Sequence, residues 1–383
     1  LLTDPADCLT YGYDNSTLQG QPIAVALPES HQQVAAIVLA CRAHGVSLIT
    51  RGQATGTTGA TVPVDDRTLM LSMQRMDNIM EINRDNRLMV VQPGVSNQAV
   101  QDAAAELGFF WPPDPTSASV CTIGGNLAYN SAGPRAVKYG TPRENTLGLS
   151  AVTGAGDVLR TGVATTKGVV GYDLTRLLIG SEGTLAIFTE ATLKLTPLAE
   201  CRNTLQAIYR DIHGAAQAVS RIMAQPATPC ALEFMDGTAI HMVREYSDLG
   251  LPAAANALLM IEVDGGEDTI EAATAAVADA ARNVIGLILV AVLALAMGYR
   301  FDSLPGAVAA ITVATAIGFA FSWLGAAIAA QVRQPDMVGM LSMFWLLPLM
   351  LASSVFAPPE SMPGWLQGFA TYQPISVAAD AVR

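Results

Sequence analysis

The chain has 383 residues, a mean hydropathy of +0.36 and a formal net charge of −12 at pH 7. An excess of acidic residues is unfavourable for binding nucleic acid, so this class of partner is excluded. Only three of the 21 Lys and Arg and four of the 33 Asp and Glu lie after Asn283. The composition therefore predicts an acidic, enzyme-like part over residues 1–282 and a nearly uncharged, membrane-like part over residues 283–383.

The five cysteines all lie in the first part and form no CxxC pair. They show no metal-ligand spacing, which favours free thiols in a reducing compartment and no metal site. The first residues, Leu1 to Pro5, show no basic stretch followed by an apolar core. We therefore expect no signal peptide.

Helix and strand signals alternate along the first part. Ser30 and Gln33 have the spacing of a capping box, and the apolar stripe after them predicts a helix that stops at Gly45. Strands are predicted at 46–50, 69–72, 88–91 and 189–195, a helix at 96–107 and a hairpin around 154–157. From Cys201 onward, strands at 204–209, 232–234 and 257–263 and helices after His213 and Asp268 predict a second domain. The fold class predicted for residues 1–282 is α+β.

The last of these helices shows no Gly, Pro or polar linker before the apolar run that begins at Val284. We therefore expect the composition to change inside a continuous helix at about residue 282, although domain boundaries ordinarily fall in exposed polar connectors. The predicted domains are residues 1–200, 201–282 and 283–383.

A loop rich in Gly and Thr, Arg51 to Gly59, follows the predicted strand at 46–50. Glycine lets backbone N–H groups approach a diphosphate closely, and hydroxyl groups supply further donors. The loop matches neither GxGxxG nor the P-loop pattern. By itself it is equally consistent with a structural turn.

Two further glycine blocks follow the first. Asp114 to Asn126 ends in Gly124-Gly125-Asn126 and is followed by Asn130–Gly133 and Tyr139-Gly140. Gly180 to Ile187 then precedes the alternating strand at 189–195. Adjacent glycines indicate a backbone that passes close to a flat or anionic group, and three such blocks in this order strengthen the prediction of a ligand site.

In these blocks, and in Gly171-Tyr172-Asp173-Leu174, residues 1–282 resemble the FAD-linked oxidases of the vanillyl-alcohol-oxidase type. The resemblance is greatest to the FAD-binding subunit of glycolate oxidase and to D-lactate dehydrogenases. It implies an α+β FAD-binding domain followed by a cap domain, FAD as the cofactor, and oxidation of a small 2-hydroxy acid with hydride passing to the flavin. It also implies that the first loop cradles the pyrophosphate, that Gly124-Gly125 lines the flavin, and that residues 182–187 touch the adenosine side or the ring backbone.

The cofactor-binding residues predicted in this way are Arg51, Gly52, Gln53, Ala54, Thr55, Gly56, Thr57, Thr58, Pro115, Thr116, Ser117, Gly124, Gly125, Asn126, Asn130, Gly133, Tyr139, Gly140, Glu182, Gly183 and Ile187. Catalytic residues stay unassigned, because His31, His44, His213 and His241 match none of the histidine motifs in the later part of the family's cap domain. We expect the sequence to end before that part. A flavin site with little or no turnover is the expected result.

Three uncharged stretches, at 283–299, 307–330 and 337–357, are predicted membrane spans. Arg282 and Arg333 would lie on one side and Arg300 on the other, so the positive-inside rule places the flavin domain on the cytoplasmic side of the membrane. The segment from Pro358 to Trp365 and its surroundings resemble the second half of an ABC-2 type transporter permease of the daunorubicin-resistance type.

Three hypotheses follow. The first is an FAD-dependent 2-hydroxy-acid oxidoreductase held at the lipid bilayer, with other oxidase subunits as partners. The second is a permease subunit of an ABC exporter, whose partner would be an ABC ATPase subunit. The third is a chimera of two incomplete sequences that has no integrated activity.

Overall fold

The computed structural model describes residues 1–246, 251–282 and 362–372. The chain divides into two compact units, Leu1–Asn283 and Val284–Arg383. The three predicted membrane spans lie outside the described residues. Among the residues that are described, no helix has the length and apolar character needed to cross a membrane.

Helices and strands alternate through the first unit. Its helices are α1 Pro5–Leu9, α2 His31–His44, α3 Asn97–Ala105, α4 Ile123–Tyr129, α5 Ala136–Tyr139, α6 Leu174–Leu178, α7 Ile212–Ala224, α8 Gly237–Tyr246 and α9 Ile270–Ala281. Its strands are β1 Ala24–Ala26, β2 Ser47–Arg51, β3 Thr68–Ser72, β4 Ile79–Asn83, β5 Leu88–Val91, β6 Phe109–Phe110, β7 Thr146–Thr153, β8 Val158–Gly162, β9 Ala186–Lys194, β10 Thr196–Pro197, β11 Cys201–Tyr209, β12 Ala231–Asp236 and β13 Ala257–Gly265. In the second unit the structure describes α10, Gly364–Tyr372.

A small parallel sheet, in the order β1-β3-β2, delivers the chain to the first glycine loop. Helix α2 supplies the crossover between β1 and β2. It begins where the Ser30 side chain accepts a hydrogen bond from the Gln33 N–H at 3.3 Å, and it ends at Gly45 in the left-handed conformation, with φ of 61°. Because β2 is held in register against β3, with Arg51 opposite Ser72, the loop after Arg51 leaves from a fixed position.

The second sheet has five strands in the order β4-β5-β9-β7-β8. Its buried face carries Met89, Leu149 and Leu193, which pack with Trp111 and with Leu127 of α4 in one apolar cluster. The buried Trp111 indole donates a hydrogen bond of 2.9 Å to the carbonyl oxygen of Asn145, so its polar atom has a partner. This cluster fixes α4 beneath the sheet, beside the loop that follows β2.

The second predicted domain contains a three-stranded antiparallel sheet, β11-β13-β12. Leu259 and Ile261 on the central strand are buried against Ile222 of α7 and Val277 of α9. An alternating strand that pairs on both sides and buries one face against helices is the arrangement that the sequence pattern predicts. The α+β class predicted for residues 1–282 is thus the observed one.

Helix α9 does not continue into the apolar segment, contrary to the prediction. It ends at Ala281, and Arg282 is extended, with ψ of 129°. The last carbonyl oxygens of a helix lack intrahelical donors. Here the Tyr209 hydroxyl donates to the Ala281 oxygen at 2.7 Å, and the Arg221 guanidinium donates to the Ala280 oxygen at 3.0 Å. These side chains come from other elements of the domain, so a local reading of the helix could not reveal its end.

Candidate functional site

All three glycine blocks border one open cavity of about 540 Å³, a volume that includes solvent space at its mouth. The lining residues are Thr50, Arg51, Gly52, Ala60, Thr61, Met73, Pro93, Thr122, Gly124, Gly125, Ala128, Tyr129, Glu182, Gly183, Ala186, Ile187 and Phe188. A second cavity of about 460 Å³ shares Gly52, Thr61, Thr122, Gly125 and Tyr129 with the first and adds Gln53, Ala54, Thr55, Gly56, Ser117, Asn126 and Ser131.

The loop after β2 presents free backbone donors. From Gln53 to Gly59, no N–H group donates a hydrogen bond to any residue that the structure describes. Ala54 has a φ of 52°, in the left-handed region that non-glycine residues seldom adopt. Successive unpaired N–H groups in such a turn form a concave site for an anion. The backbone N–H donors of the loop are therefore of the kind that binds a diphosphate.

Gly56 is required by the close approach of α4. A Cβ atom at Gly56 would lie 2.6 Å from the Tyr129 hydroxyl oxygen, so a larger residue would displace the tyrosine. The same hydroxyl is 3.0 Å from the Thr58 Oγ1. Burial raises the pKa of the Tyr129 phenol, which keeps it protonated as a donor or acceptor between the loop and the cavity. Loop and helix are thus joined at the cavity wall.

The second block is the start of helix α4, which was not predicted from the sequence. Thr122 is the N-cap residue of α4, and its Oγ1 accepts a hydrogen bond from the Gly125 N–H at 3.3 Å. Two glycines cost roughly 1 kcal/mol each in a helix relative to Ala. The fully buried Ile123 and Leu127 offset that cost by packing under the sheet.

The two glycines of α4 differ in their surroundings. A Cβ atom at Gly124 would lie 2.7 Å from the Pro93 Cβ, so this position allows the helix to pack on the chain before it. Among the residues that the structure describes, a Cβ atom at Gly125 would meet only Thr122 Oγ1 within 4 Å, at 3.3 Å. Gly125 lines both cavities, so its bare Cα leaves room for a ligand.

Asn126, one residue further on, is committed to a buried polar network. Its side-chain oxygen accepts a hydrogen bond from the Asn97 amide at 3.0 Å, and its amide nitrogen lies 3.2 Å from the Cys121 Sγ. The side chain is 2% exposed. Asn126 therefore orients the chain around the cavity through these partners.

The third block is fastened to α4. The Glu182 N–H donates to the Ala128 oxygen at 2.9 Å, and the Gly180 N–H donates to the Leu127 oxygen at 2.9 Å. Glu182 and Gly183 both have positive φ, at 52° and 77°. Ile187 follows on β9 with its side chain buried against the cavity. The turn therefore forms part of the cavity wall, where Gly183 lies beside Thr50 of β2.

Thirteen of the predicted cofactor-binding residues line the two cavities, and the others lie outside them. The residues outside are Thr57, Thr58, Pro115, Thr116, Asn130, Gly133, Tyr139 and Gly140. Asn130 is the left-handed C-cap of α4, with φ of 55°. Gly133 has a φ of 77°, and a Cβ there would collide with the Asp114 backbone. These two positions shape the chain, and their assignment to the cofactor stays a prediction.

Tyr139 contacts the second predicted domain, residues 201–282. Its hydroxyl donates to the Asp264 Oδ2 at 2.7 Å, and the ammonium group of Lys138 pairs with the other oxygen of that carboxylate. Burial, followed by the hydrogen bond to Asp264, raises the pKa of Tyr139. Helix α5 is thus attached to β13 through one carboxylate that is 8% exposed.

None of the four histidines lines either cavity. His44, His213 and His241 are exposed, and His31 Nδ1 is 2.7 Å from the Thr189 hydroxyl oxygen. Tyr129 borders both cavities and was not predicted from the sequence. Tyr129 lies four residues after Gly125, so the helical spacing would have indicated a shared face once α4 was recognised.

Comparison with models of known protein families shows which classes of protein the chain resembles. A family model described as an FAD binding domain matches residues 22–162, and one described as the C-terminal domain of FAD linked oxidases matches residues 198–294. These matches confirm FAD as the cofactor and the resemblance of residues 1–282 to FAD-linked oxidases. A third model, for an ABC-2 type transporter, matches residues 272–383.

Individual proteins of known sequence are also similar to the first part of the chain. The chain is 43% identical over 264 residues to the glycolate oxidase subunit GlcD of Bacillus subtilis (strain 168), covering 69% of this chain and 56% of that protein. It is 36% identical over 256 residues to the subunit of the same name from Escherichia coli (strain K12), covering 67% and 51%. A D-2-hydroxyglutarate dehydrogenase of Xanthomonas citri pv. viticola is 34% identical over 277 residues, covering 72% and 58%. The chain thus spans about half the length of the curated relatives it matches.

A solved structure of an alkyldihydroxyacetonephosphate synthase superposes with a TM-score of 0.59 at 22% identity. The superposition covers 71% of this chain and 54% of that one. At this identity the likeness concerns the fold, and it agrees with the α+β FAD-binding fold predicted from the sequence.

Proposed function

We propose that residues 1–282 are the FAD-binding part of an oxidoreductase that acts on a small 2-hydroxy acid. The observation that carries the proposal is the row of N–H groups from Gln53 to Gly59, which have no acceptor in the described part of the chain and lie beside a cavity that the two later glycine blocks border. The relatives support the substrate class, since they are named for glycolate, D-lactate and D-2-hydroxyglutarate.

Each wall of the cavity would have a different task. The N–H groups of residues 53–59 would hold the diphosphate, and Gly125 would allow a flat ring to approach the backbone. Met73 and Ile187 give the cavity an apolar side that excludes water. When bound, FAD supplies a two-electron acceptor for the hydride leaving the hydroxyl-bearing carbon of the substrate.

The substrate assignment is tested by reduction of the bound flavin. The full chain, purified in detergent and loaded with FAD, is mixed anaerobically with glycolate, D-lactate or D-2-hydroxyglutarate, and with L-lactate as a control. We expect slow bleaching of the flavin absorption by one of the first three acids, because no histidine borders the described cavity to take the hydroxyl proton. If dithionite bleaches the flavin and none of the acids does, the proposed oxidation of these acids by residues 1–282 is wrong.

A second candidate function, a permease subunit of an ABC exporter, is supported by the ABC-2 type transporter match at residues 272–383. Co-purification of an ATPase subunit and transport into inverted vesicles would test it.

We further propose a membrane location with the flavin unit on the cytoplasmic side, from the positions of Arg282, Arg300 and Arg333. Protease added to intact spheroplasts should then leave residues 1–282 uncut, and cleavage there would reverse the orientation.

A further inference from the structure

Arg51, at the end of β2, binds the N-terminal segment through its guanidinium group. Its Nη1 donates to the Tyr13 oxygen at 2.6 Å and to the Tyr11 oxygen at 3.4 Å, and its Nη2 donates to the Thr10 oxygen at 3.5 Å. The guanidinium carbon lies 5.8 Å and 5.9 Å from the ring centroids of Tyr11 and Tyr13. The residue is 7% exposed, so its donors are largely committed to residues 10–13.

The N-terminal segment, residues 10–16, also bonds directly to the first glycine loop. The Asn15 N–H donates to the Gly56 oxygen at 3.1 Å, and the Asn15 side-chain amide donates to the Thr55 oxygen at 3.3 Å. On the far side of the loop, the Thr61 hydroxyl donates to the buried Asp14 carboxylate at 3.1 Å. The segment therefore holds the loop at its middle and at its end.

These bonds determine which way the loop's donors face. The C=O and the N–H of one trans peptide point in opposite directions. Because the Thr55 and Gly56 oxygens are turned toward Asn15, the N–H groups of Gly56 and Thr57 are turned away from the N-terminal segment. Those two N–H groups belong to the row that has no acceptor among the described residues.

We propose that the N-terminal segment is part of the cofactor-binding machinery, and that Arg51 is a positioning residue that acts on the cofactor only through this segment. The inference rests on the proposed FAD binding and deepens it. Arg51 ties the segment to β2, the segment orients the loop, and the loop's N–H groups bind the diphosphate. The guanidinium itself makes no contact with the phosphates.

The test measures the dissociation constant for FAD in full-length variants, with ADP as a competing ligand that carries the diphosphate without the flavin. Asn15→Ala removes one hydrogen bond to the loop, and about three- to tenfold weaker binding of both FAD and ADP is expected. Arg51→Lys keeps the charge but loses the fork that spans several carbonyls, so a loss of at least about tenfold is expected. Arg67→Met, which loses a single bond of 3.1 Å to the His44 oxygen on the exposed surface, is the matched control and should bind FAD as the wild type does.

Dependence on salt separates positioning from direct contact. A guanidinium that touched the phosphates would make binding more sensitive to ionic strength, and Arg51→Met would flatten that dependence. We expect Arg51→Met to bind weakly with the wild-type salt dependence, and Asn15→Ala to keep the wild-type melting temperature without ligand.

Two results would overturn the inference alone: wild-type FAD affinity in both Asn15→Ala and Arg51→Lys, or a flattened salt dependence in Arg51→Met. Failure of the wild-type chain to bind any FAD would instead overturn the proposed function, and this inference with it.

Discussion

Gly125 shows how single atoms decide ligand binding at this site. The space beside its Cα holds one neighbour, the Thr122 Oγ1 at 3.3 Å, and the rest opens to both cavities. A methyl group added there would enter the space proposed for the cofactor while straining little else. Gly56 differs, because there the neighbour is the Tyr129 ring and the cost would fall on the protein itself.

Gly125→Ala should therefore weaken FAD binding without destabilising the unliganded chain. Ala is favoured over Gly in a helix by up to about 1 kcal/mol, so the melting temperature should stay the same or rise. Gly154→Ala, in the exposed β7–β8 hairpin with open space around it, is the matched control. Isothermal titration with FAD and a thermal melt check both. Equal FAD affinity in the two variants would show that the cofactor does not approach Gly125.

Asp14 gives the N-terminal segment a pH dependence. Burial acts to raise the pKa of this carboxyl, but hydrogen bonds from Ser16 and Thr61 outweigh burial and hold the pKa below its ordinary value. A lowered folded-state pKa stabilises the fold above the unfolded pKa of about 3.9, and this contribution is lost as the pH falls through the folded value.

Asp14→Asn should accordingly lower stability most at neutral pH and least in acid. Thermal melts followed by circular dichroism from neutral pH down through the acid range measure the gap to the wild type, with Asp157→Asn in the exposed hairpin as a control. A gap that stays constant or widens toward acid would show that the Asp14 carboxylate does not stabilise the segment.

At the scale of elements, the periodic segments were predictable and the glycine-rich ones were less so. Strand β5 has the predicted bounds, and α2 ends at Gly45 as its sequence indicates, because capping and apolar spacing are local signals. Helix α4 was not predicted, since two glycines oppose helix formation and the apolar cluster that compensates them is formed by distant strands. The site's residue types were predictable from the same blocks, whereas Tyr129 depended on α4 being helical.

The contact between α5 and β13 is a second feature that local patterns could not reveal. Lys138 and Tyr139 lie more than a hundred residues before Asp264, and only the fold brings the carboxylate to both. Tyr139→Phe should lower stability by about 0.5–1.5 kcal/mol, the net value of one hydrogen bond, and leave the FAD dissociation constant unchanged. Urea denaturation and FAD titration measure the two effects. A large loss of FAD affinity without a loss of stability would show that Tyr139 is a cofactor-binding residue, as predicted from the sequence.

For the whole molecule, two family models overlap on residues 272–294, one for FAD linked oxidases and one for ABC-2 type transporters. The overlap includes the predicted seam at about residue 282 and the observed end of α9 at Ala281. Whether the chain is a natural fusion or a chimera, we expect FAD to bind to the first unit alone.

Hydrogen exchange can test whether FAD affects the first unit alone. Adding FAD should slow amide exchange at residues 52–59, 122–130 and 182–187 together, because the three segments border one cavity. Exchange in α10, Gly364–Tyr372, should not change. Protection of a single glycine block, or equal protection of α10, would contradict a site built from all three blocks within the first unit.

The FAD content of the intact protein tests the central claim most directly. The full chain is incubated with excess FAD, freed of unbound flavin and denatured, and the released FAD is quantified against protein. Formation of the diphosphate site by residues 53–59 and of the cavity walls by α4 and the 180–187 turn predicts about one FAD per chain, reduced in Gly125→Ala. A wild-type chain that retains no FAD after this treatment would contradict the account.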